Sequence, residues 1–230
     1  MQVVILAGGL GTRLQPLTYD IPKPMIPING KPYLEYQINY LCKQGFNDIV
    51  ILISHLGEQI IQYFGNGEYF GVNIQYSIEE IPQGTGGGLK KAELLLAEDF
   101  LLIYGDSFLP VEYKDLVEVY KKAKAKALMC VYDNQEDTDV ISNIGVNAIG
   151  KVVKYLKNVL DQDLKYVDAG VLILNKSILN YIPSSVVFSL ENNIFPMLIA
   201  EGNVQAYITD KRFYDIGTPD RLALAKEILG

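Results

Sequence analysis

The chain has 230 residues, 49% of them hydrophobic and 20% charged, which suits one α/β domain with a sizeable core. Its formal net charge is -7 and it has no basic run. That argues against nucleic acid as the main partner, while leaving room for a nucleotide held by a few local cations. Cys42 and Cys130 lie far apart, match no metal spacing or disulfide framework, and read as reduced core or near-core thiols. The N-terminus lacks the basic region of a signal peptide, and no segment approaches the length of a membrane span. The expectation is a cytoplasmic protein with no membrane partner.

Strand and helix patterns alternate along the chain. Val3–Leu6 reads as the first strand, and Tyr33–Lys43 as a helix stopped by Gly45. Ile49–Ile53 is a strand, Glu58–Phe64 a short helix, and Asn73–Ser77 a strand. Leu89, Ala92, Leu95 and Leu96 recur at helical spacing and predict a helix from Gly86 to Ala97. Phe100–Tyr104 is a strand ending at Gly105-Asp106, followed by a helix over Asp115–Ala125 and a strand over Ala127–Tyr132. Gly145–Asn147 and Lys151–Tyr155 suggest a hairpin, Val167–Leu174 a strand, Glu191–Ala200 a helix and Val204–Ile208 a strand. The final helix opens with Thr218 as N-cap and Pro219 at its first position. This alternation predicts an α/β, Rossmann-like fold in a single domain. Its sheet is mixed but mainly parallel, with helices on both faces. Ligands of such sheets sit beyond the carboxyl ends of the strands, so Gly8, Gly9 and Asp106 are expected on one rim.

The first strand runs directly into Ala7-Gly8-Gly9-Leu10-Gly11-Thr12-Arg13-Leu14. Glycine lets backbone N–H groups approach phosphate oxygens closely, and Arg13 and Lys23 supply positive charge nearby. A P-loop is excluded because no Lys-Ser/Thr pair follows the glycines. The dinucleotide fingerprint is incomplete, with Leu14 where a third glycine belongs. A bare G-x-G also fits a plain tight turn.

The longer string is more specific. Leu6-Ala7-Gly8-Gly9-x-Gly11-Thr12-Arg13-Leu14, Pro16-Leu17-Thr18, Pro22-Lys23-Pro24 and Lys31-Pro32 resemble the signature of sugar-1-phosphate nucleotidyltransferases. Further matching pieces are Glu79 to Gly87, Gly105-Asp106, Asp168-Ala169-Gly170 and Phe213 to Pro219. Within that family the chain is most similar to the D-glycero-D-manno-heptose-1-phosphate guanylyltransferases. The N-acetylmuramate-1-phosphate uridylyltransferases are also similar. The resemblance implies one nucleotidyltransferase domain over residues 1–230, of nucleotide-diphospho-sugar transferase type. Its N-terminal half would mainly bind nucleotide and its C-terminal half sugar phosphate. The substrates implied are a nucleoside triphosphate and a sugar 1-phosphate, and a homodimer is compatible with it.

In the implied reaction a sugar-phosphate oxygen attacks the α-phosphorus and pyrophosphate leaves. A phosphomonoester is already largely ionised at neutral pH, so no protein base is required. This suits a chain whose single histidine, His55, falls in no catalytic motif and reads as a strand-end or surface residue. Charge neutralisation and alignment are required instead. Arg13 is the candidate for the β- and γ-phosphates. Lys23 is the candidate for the α-phosphate or the incoming sugar phosphate, although a lysine between prolines also fits an exposed turn. Mg²⁺ is the expected metal. The resemblance places Asp106 and Asp215 on it, with a local capping role near Thr218 as the lesser alternative for Asp215.

The nucleotide-binding residues implied are Leu6, Ala7, Gly8, Gly9, Gly11, Thr12, Glu79, Gly84 and Thr85. A Glu79 carboxylate only accepts hydrogen bonds and matches the adjacent N1–H and N2–H of guanine better than the single N3–H of uracil. Solvated loop charges at Glu79 and Glu80 are the alternative. Asn143, Gly145, Lys157, Asp168 and Gly170 align with sugar-binding positions. Many relatives carry Glu-Lys where this chain has Leu156-Lys157. Phe188-Ser189-Leu190-Glu191 also resembles the short heptose-like members, and a helix N-terminal carboxylate is the alternative for Glu191. GTP with a heptose or related hexose 1-phosphate is the first expectation. Uridylyl or cytidylyl transfer, a non-catalytic nucleotide sensor and a nicotinamide dehydrogenase are the alternatives.

Overall fold

A computed structural model of the chain describes residues 1–136, 138–157 and 159–229. In chain order the elements are β1 (Gln2–Leu6), β2 (Pro27–Ile28), β3 (Lys31–Pro32), α1 (Tyr33–Lys43), β4 (Asp48–Ile53), α2 (Gly57–Phe64), β5 (Asn73–Ile78), α3 (Gly84–Lys91), β6 (Asp99–Tyr104) and β7 (Ser107–Phe108). There follow α4 (Tyr113–Ala123), β8 (Ala127–Tyr132), β9 (Ile144–Val146), β10 (Val152–Tyr155), β11 (Val167–Asn175), α5 (Phe195–Ala200), β12 (Val204–Thr209), β13 (Tyr214–Asp215) and α6 (Pro219–Ile228).

Seven strands form the central sheet in the order β12-β8-β11-β6-β1-β4-β5. β11 runs antiparallel to β6 and β8, and the other pairs are parallel. The period of two in each strand divides the core between the faces. Val3, Ile5, Ile49, Ile51, Leu101 and Ile103 pack with Leu34 and Ile38 of α1, Ile60 of α2 and Leu116 of α4. Val4, Val50, Leu52 and Leu102 pack on the other face with Leu89 of α3 and Phe195 and Leu198 of α5. Burial on both faces explains why these strands read as unbroken apolar runs.

Strand direction sets what reaches the rim. β1, β4 and β6 all end there, at Leu6, Ile53 and Tyr104. Because β11 is reversed, its beginning arrives at the same rim and delivers Asp168. β9 and β10 form the expected hairpin outside the central sheet, joined to it through Ile144↔Tyr166 and Lys151↔Gln205. β7 pairs with β13, placing Asp215 opposite Ser107, and the Ile216 N–H donates to the Asp106 carbonyl at 3.1 Å.

Two expected helices are corrected. The helix expected over Gly86–Ala97 is α3, Gly84–Lys91, then a separate 3-10 turn over Glu93–Leu95. Its glycines are contact surfaces. A Cβ on Gly86 would stand 3.0 Å from the Phe188 carbonyl oxygen, and one on Gly87 2.7 Å from that of Val186. The helix expected over Glu191–Ala200 is a wide π-turn, Leu190–Ile194, leading into α5. Pro196 lacks the N–H that a regular helix would use one turn earlier, so the chain arrives there in the wider form.

Candidate active site

A cleft of about 640 Å³ opens along the rim. It is lined by Leu6, Ala7, Gly8 and Gly9 after β1, by Glu79 after β5, by Gly84 and Thr85 of α3, and by Asp106 after β6. Asn143, Lys157, Asp168 and Glu191 line its other end, and Arg13, Lys23, Asp215 and Arg221 also face it. Residues from both ends of the chain, such as Leu6 and Arg221, meet here because the elements that carry them reach one edge of the sheet.

The glycine loop begins where β1 stops pairing. The Ala7 N–H still bonds to the Leu52 carbonyl at 2.8 Å. Beyond it the N–H groups of residues 8–13 have no protein acceptor among the described residues. A run of unpaired amides at a strand end is suited to an anion. Gly11 has φ 63° and begins a short turn over Thr12–Leu14. A Cβ there would meet Thr18 Cγ2 at 2.9 Å, so glycine is required by both conformation and space. Gly11 and Thr12 therefore shape the loop from behind and do not line the cleft.

Lys23 is buried and its ammonium pairs with the Asp106 carboxylate. It is not an exposed turn residue. Arg13 is exposed at the cleft mouth. Asp215 is buried and accepts from the Gly217 N–H at 2.6 Å and from Arg221 at 2.8 and 3.0 Å. Thr218, not Asp215, caps α6, its hydroxyl accepting from the Arg221 N–H. Asp215 thus serves the local turn and faces the cleft at once.

Glu79 is buried and Glu80 exposed, so the two glutamates part company. The Glu79 carboxylate accepts from the Gln83 N–H at 3.1 Å and lies between Gly8 and Gly88. A Cβ on either glycine would come within 3.2 Å of a carboxylate oxygen. Burial raises the Glu79 pKa above the usual carboxylate range. Such a group stands ready for a donor-bearing ligand.

At the other end Asp168 accepts from the Gly170 N–H at 2.9 Å and from the Tyr155 hydroxyl at 3.1 Å. Desolvation pushes its carboxyl up to about 6. Its own N–H donates to Asn143 Oδ1 at 3.0 Å, leaving the Asn143 amide NH₂ toward the cleft wall. Gly170, with φ 75°, supports the bulge that turns Asp168, and Gly145 packs within the hairpin beside the Asp163 carbonyl. Neither glycine lines the cleft.

The sequence marked Glu191 without its part in the cleft, and other polar residues at the rim carried no signal. The acid absent at Leu156 comes from Glu191, whose Oε1 lies 3.8 Å from Lys157 Nζ. Glu191 also accepts from Thr85 Oγ1 at 2.7 Å, Ser189 Oγ at 2.7 Å and the Tyr104 hydroxyl at 2.8 Å. Burial alone would raise its pKa, but the charge of Lys157 and these hydrogen bonds outweigh it and hold the pKa below the usual value. Tyr104, Tyr155, Ser54 and Arg221 carry no motif signal. Tyr104 could have been suspected from its place just before Gly105-Asp106. His55 is an exposed residue beyond β4, as expected, and Cys42 and Cys130 are free thiols. Among the described residues no helix is long and apolar enough to cross a membrane.

Residues 2–229 match the family described as Nucleotidyl transferase. The chain belongs to that family. This nucleotidyl transferase is 33% identical over 220 residues to the D-glycero-alpha-D-manno-heptose 1-phosphate guanylyltransferase of Campylobacter jejuni, covering 96% of each chain. It is 33% identical to the protein of that name from Aneurinibacillus thermoaerophilus, covering 100% of this chain and 98% of the other. The crystal structure of HddC from Yersinia pseudotuberculosis superimposes with a TM-score of 0.86 at 31% identity, covering 100% and 99% of the two chains. HddC is also known complexed with GMP-PN, which superimposes with a TM-score of 0.84. The match of this nucleotidyl transferase to these relatives spans nearly the whole of both chains, and the family is not that of the nicotinamide dehydrogenases.

Proposed function

We propose that the protein transfers GMP from GTP to a heptose- or hexose-type sugar 1-phosphate, giving a GDP-sugar and pyrophosphate. The observation that carries the choice of base is the buried Glu79 carboxylate between Gly8 and Gly88. Two adjacent guanine donors satisfy such a carboxylate, whereas a base lacking them leaves it unpaired. Full-length similarity to two heptose 1-phosphate guanylyltransferases supports both the base and the sugar class.

In this reading the amides of Gly8, Gly9 and Leu10 and the Arg13 guanidinium bind the β- and γ-phosphates. An oxygen of the sugar phosphate attacks the α-phosphorus in line. The bond to the β-phosphate oxygen breaks, and the charge that develops there falls on Arg13. Lys23, steadied by Asp106, holds the α-phosphate or the incoming phosphate. Thr85 and Gly84 border the nucleoside. Asn143, Lys157 and Asp168 hold the sugar phosphate, so the two ends of the cleft divide the substrates between the halves of the chain.

Mg²⁺ fits the residues present. Asp106 and Asp215 are hard oxygen donors brought side by side by β7 and β13. Among the described residues no group of three or more His, Cys, Asp or Glu could hold a metal, so remaining ligands would come from phosphates and water, as suits Mg²⁺. When bound, the ion would neutralise phosphate charge at the reacting centre.

The test is pyrophosphate release with each of four triphosphates against heptose, mannose, glucose and N-acetylmuramate 1-phosphates. GTP with a neutral sugar should give the highest kcat/KM. A preference for UTP, CTP or dTTP would overturn the guanylyl reading, and no turnover with any pair would favour a nucleotide sensor.

A further inference from the structure

Arg221 stands in the first turn of α6, and its guanidinium reaches the cleft. Nothing in its sequence context marks it for a role. A single nitrogen, Nη1, serves both oxygens of Asp215, at 3.0 and 2.8 Å. The Gly217 N–H shares Oδ1 at 2.6 Å. The two side chains are only 18% and 10% exposed.

The pairing is incomplete. A guanidinium matched to a carboxylate uses two nitrogens in a parallel fork. Here Nε is buried with no hydrogen-bond partner, which is unfavourable for a donor. Arg13 is close by. Its Nη2 and the Arg221 Nη1 stand 3.5 and 3.4 Å from where a Cβ on Gly217 would lie. Two guanidiniums thus share one corner of the cleft with one carboxylate.

We infer that Arg221 is a counter-cation of Asp215 that competes with a divalent ion for it, so that the ion must displace the guanidinium to bind there. The inference rests on the proposed reading of Asp215 as a metal ligand. With Arg221 in place, both lone-pair directions of Oδ1 are occupied and Oδ2 keeps one. An approaching dication also meets the guanidinium charge directly. The incomplete pairing makes the guanidinium easier to move than a two-nitrogen fork. Once released, it lies in the corner it shares with Arg13, where the phosphates of an arriving triphosphate would receive it. The protein alone should therefore hold a divalent ion weakly, and hold it well only together with a triphosphate. Arg221 is a positioning residue in this scheme, acting through Asp215.

The test is Mn²⁺ titration followed by electron paramagnetic resonance, with no nucleotide or sugar present. Arg221→Gln should tighten Mn²⁺ binding about tenfold or more, because a unit charge a few ångströms from the ion is removed. Adding Asp215→Asn to that variant should abolish the gain. Loss of a merely structural contact would loosen binding, so the direction distinguishes the two roles. Arg221→Met, uncharged and of similar length, serves if the glutamine variant does not fold. Unchanged or weaker Mn²⁺ binding in a folded Arg221 variant would overturn the inference, as would a gain that survives Asp215→Asn. Failure of the guanylyl reading would leave these titrations untouched, since they contain no substrate.

Discussion

Glu191 offers the sharpest test of how the two ends of the cleft are joined. Its carboxylate is 8% exposed and accepts from three hydroxyls, those of Thr85, Tyr104 and Ser189, with Lys157 alongside. In Glu191→Gln one oxygen becomes an NH₂ group, which cannot accept. Oε1 serves Tyr104 alone and Oε2 serves Thr85 and Ser189, so one or two hydroxyls lose their partner, at roughly 1.5 kcal/mol or more each, and relief from burying a charge returns part of it. The expected net loss is about 1–3 kcal/mol, or a fall in Tm of about 2–12 °C for a domain of this size. The pH dependence has a definite sign. The folded-state pKa is lowered from 4.5, so the carboxylate's contribution is fully present above that value and is lost as pH falls through the lowered one. Urea unfolding of wild type and variant at neutral pH and near pH 3 measures both effects. The gap should be wide at neutral pH and narrow in acid. A neutral-pH gap below about 0.5 kcal/mol, the range of an ordinary surface change, would refute the reasoning. So would a gap independent of pH.

Asp168 should behave in the opposite sense. Its carboxyl is raised from 3.8 to about 6, so its ionised form burdens the fold increasingly as pH rises through that value. Asp168→Asn should gain on wild type by about 1–3 kcal/mol between pH 4 and pH 7.5 in unfolding experiments, and a constant difference would remove the basis for the shift. Gly88→Ala adds a Cβ within 3.2 Å of the Glu79 carboxylate while suiting a helix interior. It should change stability by about 1 kcal/mol or less yet raise the KM for GTP several-fold, whereas an unchanged KM would detach Glu79 from the nucleotide. Asp106→Asn and Asp215→Asn should each cut turnover by orders of magnitude in folded protein, and near-normal turnover at limiting Mg²⁺ in either would end the shared-metal reading. Arg13→Ala should lower kcat and not merely raise the KM for triphosphate, because charge on the leaving pyrophosphate grows in the transition state.

Most of the central sheet was legible because its strands are buried on both faces. Continuous apolar runs such as Asp48–Ile53 and Ala127–Tyr132 leave little choice, and the caps at Gly45 and Thr218 end or start helices where expected. The reading went astray where tertiary contact overrides helical spacing. In α3 the glycines answer to Phe188 and Val186, which lie about a hundred residues away. Around Glu191, Pro196 and the pull of Thr85 and Tyr104 replace a regular first turn. Site residues on strand ends and glycine turns could be named, because backbone geometry demands particular residue types there. Tyr104, Tyr155 and Arg221 could not, because a tyrosine hydroxyl or a helix-surface arginine gains its meaning only from what another segment brings to it.

The hairpin of β9 and β10 lies outside the central sheet, yet Ile144, Val152 and Tyr155 pack into the same buried core and the Gly150 carbonyl accepts from the Ala206 N–H of β12. It frames the segment that carries Asn143 and leads into Lys157, both on the cleft. The loop of unpaired amides and the Glu79 cradle belong to the other side and share no strand with it. In the proposed reading, part of the acceptor site thus lies on one short segment, while Asp168 comes from β11. Exchanging residues 143–157 for the corresponding piece of a relative should shift sugar preference more than choice of base. A change of acceptor would then ask for few alterations at the glycine loop.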